Sequence, residues 1–150
     1  MDKDNRHIKY INHKNNILAI IVRNSFSKEG IEFFTPNDYS QQVGYMKRPK
    51  GYHIKPHLHH HVPRRVRNTQ EVLIVKRGKV RVDFYDAKKK YLMSENLLKG
   101  DIIILISCGH GFFMEKESEL IEVKQGPYLE EKDKERFDSI SNDMVIMEKD

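Results

Sequence analysis

The chain predicts an all-β fold, and three observations support that prediction. Short segments rich in β-branched and other apolar residues recur along its 150 residues, and Gly or Pro marks the turns between several of them. Helical periodicity does not appear before residue 128. Apolar residues make up 38% and charged residues 33% of the chain, a balance that is typical of a globular protein and predicts one domain over residues 1–150.

The N-terminal part alternates between strand-like and broken segments. NILAIIVRNSF at 16–26 is short and β-branched, which predicts a strand, and EGIEFFTPND at 29–38 predicts a second strand closed by Pro and Asn-Asp turn chemistry. The stretch at 41–61 alternates weakly and is broken by Gly and Pro, so we expect a bent pair of strands there.

The centre of the chain has the clearest pattern. EVLIVKRGKVRVDFY at 71–85 has two apolar runs around KRGK, which predicts a hairpin with Gly78 at its turn. In the second run, KVRVDFY, apolar and polar residues alternate, which predicts a strand with one buried face. GDIIILIS at 100–107 is apolar on both faces and predicts a strand deep in a sandwich, and SELIEVKQG at 118–126 predicts one more strand.

The C-terminal stretch has a different character. YLEEKDKERFDSI at 128–140 is charged enough to form a surface helix or a loosely held segment, and we expect a short charged tail over 128–150. That tail carries eight acidic and four basic residues, so the overall formal charge of +5 leaves a basic body. The basic field suits a small anionic ligand better than nucleic acid, because no nucleic-acid recognition motif accompanies it.

The cellular compartment is inferred from what the sequence lacks. Cys108 is the one cysteine, which excludes an internal disulfide and a CxxC-type zinc site and is typical of a reducing compartment. Its place beside an apolar strand predicts a packed thiol rather than a reactive one. No segment approaches eighteen consecutive apolar residues and the N-terminus lacks the apolar core of a secretion signal, so we expect a cytoplasmic protein without membrane contact.

Five of the eight histidines lie in one stretch, GYHIKPHLHHHVPRR at 51–65. His57 and His59 are two positions apart, so on a strand they share a face and lie about 6.6 Å apart along it. Two such imidazoles can converge on one ion at roughly 2.0–2.1 Å from each nitrogen. An isolated His-x-His is more commonly a solvated strand end, so the surrounding residues decide whether the pair binds metal.

The surroundings of these histidines resemble the first motif of the cupin family, small jelly-roll β-barrels. Gly51, His57 and His59 match the first half of the pattern G-x5-H-x-H-x(3–4)-E-x6-G, and Glu71, six residues and Gly78 match its second half. Eleven residues separate His59 from Glu71 where the pattern has three or four, which we interpret as a lengthened loop at the barrel mouth.

The second cupin motif, G-x5-P-x-G-x2-H-x3-N, is approximated by GDIIILISCGHGFF, with Gly100 as its glycine and His110 as its histidine. Nine residues rather than ten separate the two, the motif's proline is absent, and Met114 replaces its asparagine. The resemblance implies a cupin double-stranded β-helix, or jelly-roll barrel, over 42–127, with extra N-terminal strands at 1–41.

The same resemblance implies a divalent metal held by His57, His59, Glu71 and His110. Imidazole ligands with one carboxylate suit iron, manganese, nickel or zinc, and the sequence does not choose among them. The structural alternative is that these histidines are buried and hydrogen-bonded, because cupin barrels can lose the metal and keep the fold.

Further basic residues are predicted to contact a small anionic substrate. Lys55 and His53 share the strand parity of His57, which points them into the barrel. Arg64 and Arg67 lie in the long loop after the histidines, and guanidinium groups suit phosphate or carboxylate. The corresponding structural interpretations are that Lys55 lies at the barrel rim and that the loop with the arginines is a solvated basic loop.

Three functions fit these residues. The first is a metal-dependent enzyme on a small anionic or sugar-derived substrate, with the ion as Lewis acid or dioxygen site. The second is a metal-independent sugar-nucleotide isomerase or epimerase of surface-polysaccharide synthesis, with His57 or His110 as base and Tyr45 or Tyr128 as acid. The third is a barrel that binds a ligand without catalysis. Because the strands at 17–35 exceed what one barrel needs, we also expect a homodimer.

Overall fold

The computed structural model describes residues 6–66, 68–129 and 134–147. Over these ranges the protein is all-β, as predicted, with no α-helix and a single 3-10 turn at Asn142–Met144. No helical segment in the described ranges is long or apolar enough to cross a membrane. The strands are β1 (Ile8–His13), β2 (Asn16–Val22), β3 (Gly30–Phe33), β4 (Gly44–Lys47), β5 (Glu71–Arg77), β6 (Lys79–Tyr85), β7 (Tyr91–Leu98), β8 (Ile102–Leu105), β9 (Gly109–Met114) and β10 (Glu119–Lys124).

The described strands form three antiparallel sheets. The largest has five strands in the order β1-β2-β8-β5-β10, and the second has three in the order β7-β6-β9. The third is the two-stranded hairpin of β3 and β4. Hydrogen bonding between the described strands therefore leaves three separate sheets rather than one closed barrel.

The five-stranded sheet is the middle layer, and its central strands β2, β8 and β5 are buried on both faces. On one face, Ile103 of β8 belongs to a core cluster with Val82 and Phe84 of the three-stranded sheet. On the other face, Ile104 packs in a cluster with Phe34, at the end of the β3–β4 hairpin. The prediction that β8 is apolar on both faces because both are buried is confirmed. Each such side chain contributes roughly 1.5–3 kcal/mol to the free energy of unfolding.

The two strands predicted within 71–85 are present, but the predicted hairpin between them is wrong. β5 pairs with β8 and β10, whereas β6 pairs with β7 and β9. Gly78 therefore turns the chain from one sheet into the other. Its φ of +94° favours glycine, and a Cβ there would collide with Ser118 Oγ and the Glu117 carbonyl oxygen. The local pattern predicts the turn correctly but does not determine which strands pair.

Of the N-terminal strands, β1 and β2 belong to the five-stranded sheet, and β3 belongs to the two-stranded hairpin. The predicted strand at 16–26 is confirmed over Asn16–Val22, and its residues 19–22 pair with β8. The predicted strand at 29–38 is confirmed over Gly30–Phe33. β1, β7 and β9 were not predicted. β7 (YLMSENLL) lacks clear alternation because Ser94 and Glu95 in its middle are buried through polar contacts.

The stretch expected to form a bent pair of strands supplies only β4. Every residue from 48 to 66 is exposed, and this range contains no strand. Pro49, Pro56 and Pro63 lie in it, and each removes a backbone N–H that a sheet ladder would need. The strand parity assumed for the histidines in this range therefore does not apply in the structure.

The C-terminal residues 134–147 form neither the helix nor the loose tail expected from their charge. The Ile140 N–H donates to Tyr85 Oη at 2.9 Å, and the Ser94 N–H donates to the Ile146 carbonyl oxygen at 2.8 Å. The segment thus contacts the outer face of the three-stranded sheet at Tyr85 and pairs with its edge strand β7 at Ser94. Charge predicted exposure here, but paired backbone groups fix the segment in place.

This C-terminal cover explains a second departure from the sequence prediction. The alternation in KVRVDFY predicts one exposed face for β6, yet Arg81 and Asp83 on that face are buried. Arg81 Nε donates to Asp83 Oδ1 at 2.8 Å, and Arg81 Nη1 donates to Asn142 Oδ1 at 3.0 Å. Because each charge has a partner, the C-terminal segment can bury them without leaving an uncompensated ion.

Candidate functional site

Glu71 and His110 come together at one end of the shared core. Glu71 is the first residue of β5, and His110 is the second residue of β9 in the other sheet. His110 Nε2 lies 3.0 Å from Glu71 Oε2, so an Nε2–H donates a hydrogen bond to the carboxylate. The packing of the two sheets therefore positions the pair, since each sheet supplies one partner.

Two lysines surround the same carboxylate. The Nζ atom of Lys124 lies 3.6 Å from Glu71 Oε1, and that of Lys134 lies 3.7 Å from it. The His110 hydrogen bond is the largest influence on Glu71; with the nearby positive charges it outweighs burial and lowers the pKa of this carboxyl to about 2. Glu71 is therefore ionised at neutral pH although its side chain is only 8% exposed.

Contacts on both sides of its ring hold His110 in one orientation. Nδ1 lies 3.3 Å from the carbonyl oxygen of Cys108, and the ring packs against Phe112 with 5.5 Å between centroids. About a quarter of the side chain, 25%, remains exposed. The imidazole is thus held by the protein and still accessible to a small molecule, which is the combination that a proton-transferring histidine needs.

Cys108, two residues before His110, is a packing residue. It contacts the main core cluster, and its thiol donates weakly to the Leu18 carbonyl oxygen at 3.6 Å. Burial, and to a lesser degree the Glu71 charge, raises the pKa of Cys108 to about 12. The thiol therefore stays protonated at neutral pH and does not supply a nucleophile.

A cavity of about 480 Å³ opens beside the pair, within the range of roughly 300–1,000 Å³ that is typical of small-molecule sites. Strand residues form one wall and the C-terminal segment forms the other. The lining residues are Thr69, Glu71, Tyr85, Cys108, Gly109, His110, Gly111, Lys134, Glu135, Arg136, Phe137 and Ser139. A second cavity of about 390 Å³ shares Glu71 and His110, so the pair is reached from two sides.

Tyr85, Lys134 and Phe137 are among the cavity residues that were not predicted to form part of a site. Tyr85 was placed on the polar face of its strand, and Lys134 and Phe137 fell in the presumed tail. The Tyr85 and Phe137 rings pack edge to face with 5.0 Å between centroids. A phenylalanine within an otherwise charged stretch was the signal available in the sequence, because an isolated aromatic there needs an apolar surface to cover.

His57 and His59 lie apart from this cavity, on the exposed 48–66 range. Their rings are 5.2 Å apart at an interplanar angle of 75°, and His57 Nδ1 lies 2.9 Å from the Lys55 carbonyl oxygen. Neither residue is among those that line the cavity beside Glu71 and His110. The structure thus brings the four predicted ligands together as two separate pairs.

The donor set at Glu71 and His110 does not form a metal site in this structure. Among the described residues, no three His, Cys, Asp or Glu side chains are arranged to hold an ion, and all four predicted ligands are included in that range. Lys124 and Lys134 also place two positive charges beside the carboxylate that a cation would need. A cation at Glu71 would therefore compete with two ammonium groups for the same carboxylate oxygen.

The predicted substrate-binding residues lie in the same exposed range. Lys55, His53 and Arg64 are exposed, and none of them lines the cavity beside Glu71 and His110. Arg64 Nη1 lies 3.5 Å from the nearby Val62 carbonyl oxygen. Arg67 lies outside the described residues.

The two tyrosines considered as acids differ in position. Tyr45 packs edge to face against Phe26, 5.0 Å between centroids, on the hairpin side of the middle sheet. Tyr128 lies under Lys124, whose Nζ is 5.2 Å from the ring centroid. Since Lys124 also pairs with Glu71, Tyr128 is the tyrosine that the structure links to the site.

The chain was compared with known proteins in three ways. No protein-family model matches it, and no curated protein or solved structure is similar to it at a significant level.

Proposed function

We propose that the protein is a metal-independent acid–base enzyme of the isomerase or epimerase type, acting on a small anionic, sugar-derived substrate. The observation that carries the proposal is the 3.0 Å hydrogen bond from His110 to the buried, ionised Glu71 at the wall of a ligand-sized cavity. A carboxylate that holds one imidazole nitrogen fixes the tautomer and orientation of the ring, and so prepares the other nitrogen for proton transfer.

The proposed proton transfer uses the two nitrogens of His110 differently. Nε2 keeps its own proton, which it donates in the hydrogen bond to Glu71. Nδ1 is therefore the nitrogen that takes a proton from the carbon next to a substrate carbonyl. The Cys108 carbonyl oxygen, 3.3 Å from Nδ1, can then accept a hydrogen bond from the protonated ring. The ionised Glu71 stabilises the imidazolium formed in this step.

Charge and shape both favour an anionic sugar derivative. Lys124 and Lys134 lie beside Glu71 and can bind a phosphate or carboxylate. The Tyr85 and Phe137 rings give the same cavity an apolar surface that suits the face of a sugar ring. Tyr128, next to Lys124, is our candidate for the acid that completes the reaction. We place this activity in the cytoplasm, where the free Cys108 thiol stays reduced.

We further propose that the layered sheets are a cupin-type jelly roll. Two sheets share one core, and the motif positions Glu71 and His110 meet within it. The motif glycines Gly78 and Gly100 both have positive φ values, +94° and +86°. These features support the resemblance without depending on a metal.

Deuterium exchange tests the acid–base proposal directly. The protein is incubated with sugar phosphates and nucleotide sugars in D₂O containing EDTA, and NMR follows deuterium incorporation next to the carbonyl. We expect exchange with the wild-type chain and a loss of about 100- to 10,000-fold in His110→Gln. His60→Gln, in the exposed range, is the matched control and should exchange like wild type. Equal exchange in His110→Gln would contradict the proposal, and ligand binding without exchange would leave only a binding module.

A metal-binding function is the second candidate, and the His57–His59 contact favours it. Their ring centroids are 5.2 Å apart, so two imidazole nitrogens lie close enough to share one ion.

Metal analysis tests this candidate. Protein purified without a nickel column is analysed for iron, manganese, nickel and zinc, in parallel with His57→Ala and His60→Ala. The metal candidate predicts about one ion per chain in wild type and His60→Ala, and a strong loss in His57→Ala. Unchanged metal content in His57→Ala would remove it.

A further inference from the structure

We propose that residues 134–140 are the ligand-contacting wall of the cavity and that they select a phosphorylated sugar. In this inference Lys134 binds the phosphate and Phe137 packs on the sugar ring. It rests on the acid–base function proposed above and adds the recognition of the substrate to it.

The first support is that this stretch is fixed over the cavity. The Ile140 N–H donates to Tyr85 Oη at 2.9 Å at one end, and Lys89 Nζ pairs with Glu135 Oε1 at 2.5 Å near the other. Between them, Phe137 approaches the strand closely, because a Cβ added at Gly109 would lie 3.2 Å from Phe137 Cζ. The Ile140 hydrogen bond and the Phe137 packing on Tyr85 keep the side chains of this wall in position for a ligand.

The second support is the charge balance. Glu71 has one negative charge, and both Lys124 and Lys134 approach the same oxygen. Lys124 has a closer partner in Glu122, at 2.8 Å, and lies on a strand, whereas Lys134 stays 3.7 Å from Glu71 with 42% of its side chain exposed. Lys134 can therefore leave Glu71 and bind an anionic ligand with little loss of ion-pair energy, since its present ion pair is longer than a hydrogen bond.

The third support is the neighbouring aromatic surface. Phe137 packs edge to face on Tyr85 at 83°, so its ring is held at a defined angle beside the cavity. The C–H groups on one face of a pyranose pack well on such a ring, while its hydroxyls need polar partners. Ser139 and Glu71, both lining the same cavity, can supply hydrogen bonds to those hydroxyls. A cation beside an aromatic ring thus matches a phosphate attached to a sugar.

Isothermal titration calorimetry of the full chain tests the proposal with four probes: glucose 1-phosphate, UDP-glucose, glucose and inorganic phosphate. We expect both phosphorylated sugars, or the one whose phosphate suits the cavity, to bind more tightly than glucose or phosphate alone. Lys134→Gln should weaken that binding about tenfold, in line with the loss of a charge-assisted hydrogen bond. Phe137→Leu should weaken it several-fold. Lys116→Gln and Phe33→Leu, which change an exposed lysine and an exposed phenylalanine outside the cavity lining, should bind like wild type.

Two results would overturn the proposal. One is wild-type affinity in both Lys134→Gln and Phe137→Leu with unchanged melting temperatures, and the other is no binding of either phosphorylated sugar to the wild-type chain. The deuterium-exchange assay separates these failures from a failure of the proposed function. His110-dependent exchange on an unphosphorylated substrate would support the acid–base function and contradict the recognition of a phosphorylated sugar. Binding that depends on Lys134 without any exchange would support the recognition and contradict the acid–base function.

Discussion

Glu71 begins β5 with its carboxylate between one imidazole and two ammonium groups. This single side chain connects the fold to the candidate site, because it is buried at the start of β5 and also orients His110. The sequence resemblance identified Glu71 and His110 as partners in one site. It could not identify Lys134, because a loop residue far along the chain leaves no trace in local spacing.

Glu71→Gln tests this residue through the pH dependence of stability. The folded pKa, about 2, is below the ordinary value of 4.5, so the stabilisation from the ionised carboxylate is complete above about pH 5. It is lost as the pH falls through 4.5 towards 2. We expect urea denaturation to show a difference from wild type of up to about 3 kcal/mol near neutral pH, shrinking below pH 4.5.

The control for this measurement is Glu29→Gln, whose side chain is 70% exposed and pairs with Lys47 at the surface. Its difference from wild type should be small at every pH. A Glu71→Gln difference that stayed constant from pH 7 to pH 2.5 would mean that the carboxylate is not stabilised by its neighbours.

Among the elements, the pair β5 and β6 shows what local pattern can and cannot predict. Both strands follow from alternation and from β-branched residues, and Gly78 follows as their turn. The pairing does not follow, because it depends on strands that lie far away in the chain, such as β8 and β9. The C-terminal segment shows the same limit: its charge predicts exposure, while its hydrogen bonds to Tyr85 and Tyr91 depend on the finished sheet.

Gly78→Ala tests the turn between the two sheets. The residue has φ +94° and its new Cβ would meet Ser118 and the Glu117 backbone, so we expect a loss of about 2–4 kcal/mol in the free energy of unfolding. Gly51→Ala is a matched control with φ +83° and no atom within 4 Å of the new Cβ. That control should lose only about 1 kcal/mol, from backbone strain alone. Equal losses in the two variants, measured by chemical denaturation, would show that the close contact at Gly78 has no cost.

Tyr91→Phe tests how the C-terminal segment is held. The Tyr91 hydroxyl accepts from the Ile146 N–H at 2.9 Å and lies 2.7 Å from Ser94 Oγ. Without it we expect faster amide hydrogen exchange at residues 140–147 and a loss of about 1–2 kcal/mol in stability. Tyr10→Phe is the control, because that hydroxyl is 3.5 Å from its carbonyl partner. Unchanged exchange in Tyr91→Phe would mean that other contacts hold the segment.

At the scale of the whole molecule, the remaining prediction is that two copies of the chain form a homodimer. The outer face of the β3–β4 hairpin exposes Ile31, Phe33 and Met46, each about half accessible. Three neighbouring apolar side chains of this size are typical of a surface that another protein covers. We propose that this face is part of the expected homodimer interface, since Ile31 and Phe33 fall within the N-terminal strands from which the dimer was predicted.

Light scattering at micromolar concentration measures this association. We expect twice the chain mass for wild type and the single-chain mass for Phe33→Lys, because a lysine would be buried without a partner. Tyr52→Lys, which changes an exposed aromatic outside the hairpin, should leave the mass unchanged. A wild-type protein with the mass of one chain would contradict the prediction.

The place of β2 in the middle sheet has a consequence for synthesis. β2 needs β8 beside it, and five other strands lie between them in the chain. While the ribosome makes those strands, the apolar Ile20 and Ile21 have only β1 beside them and stay open to unwanted partners. Nascent chains that stop short of residue 102 should therefore depend more on chaperones than chains that extend beyond β8.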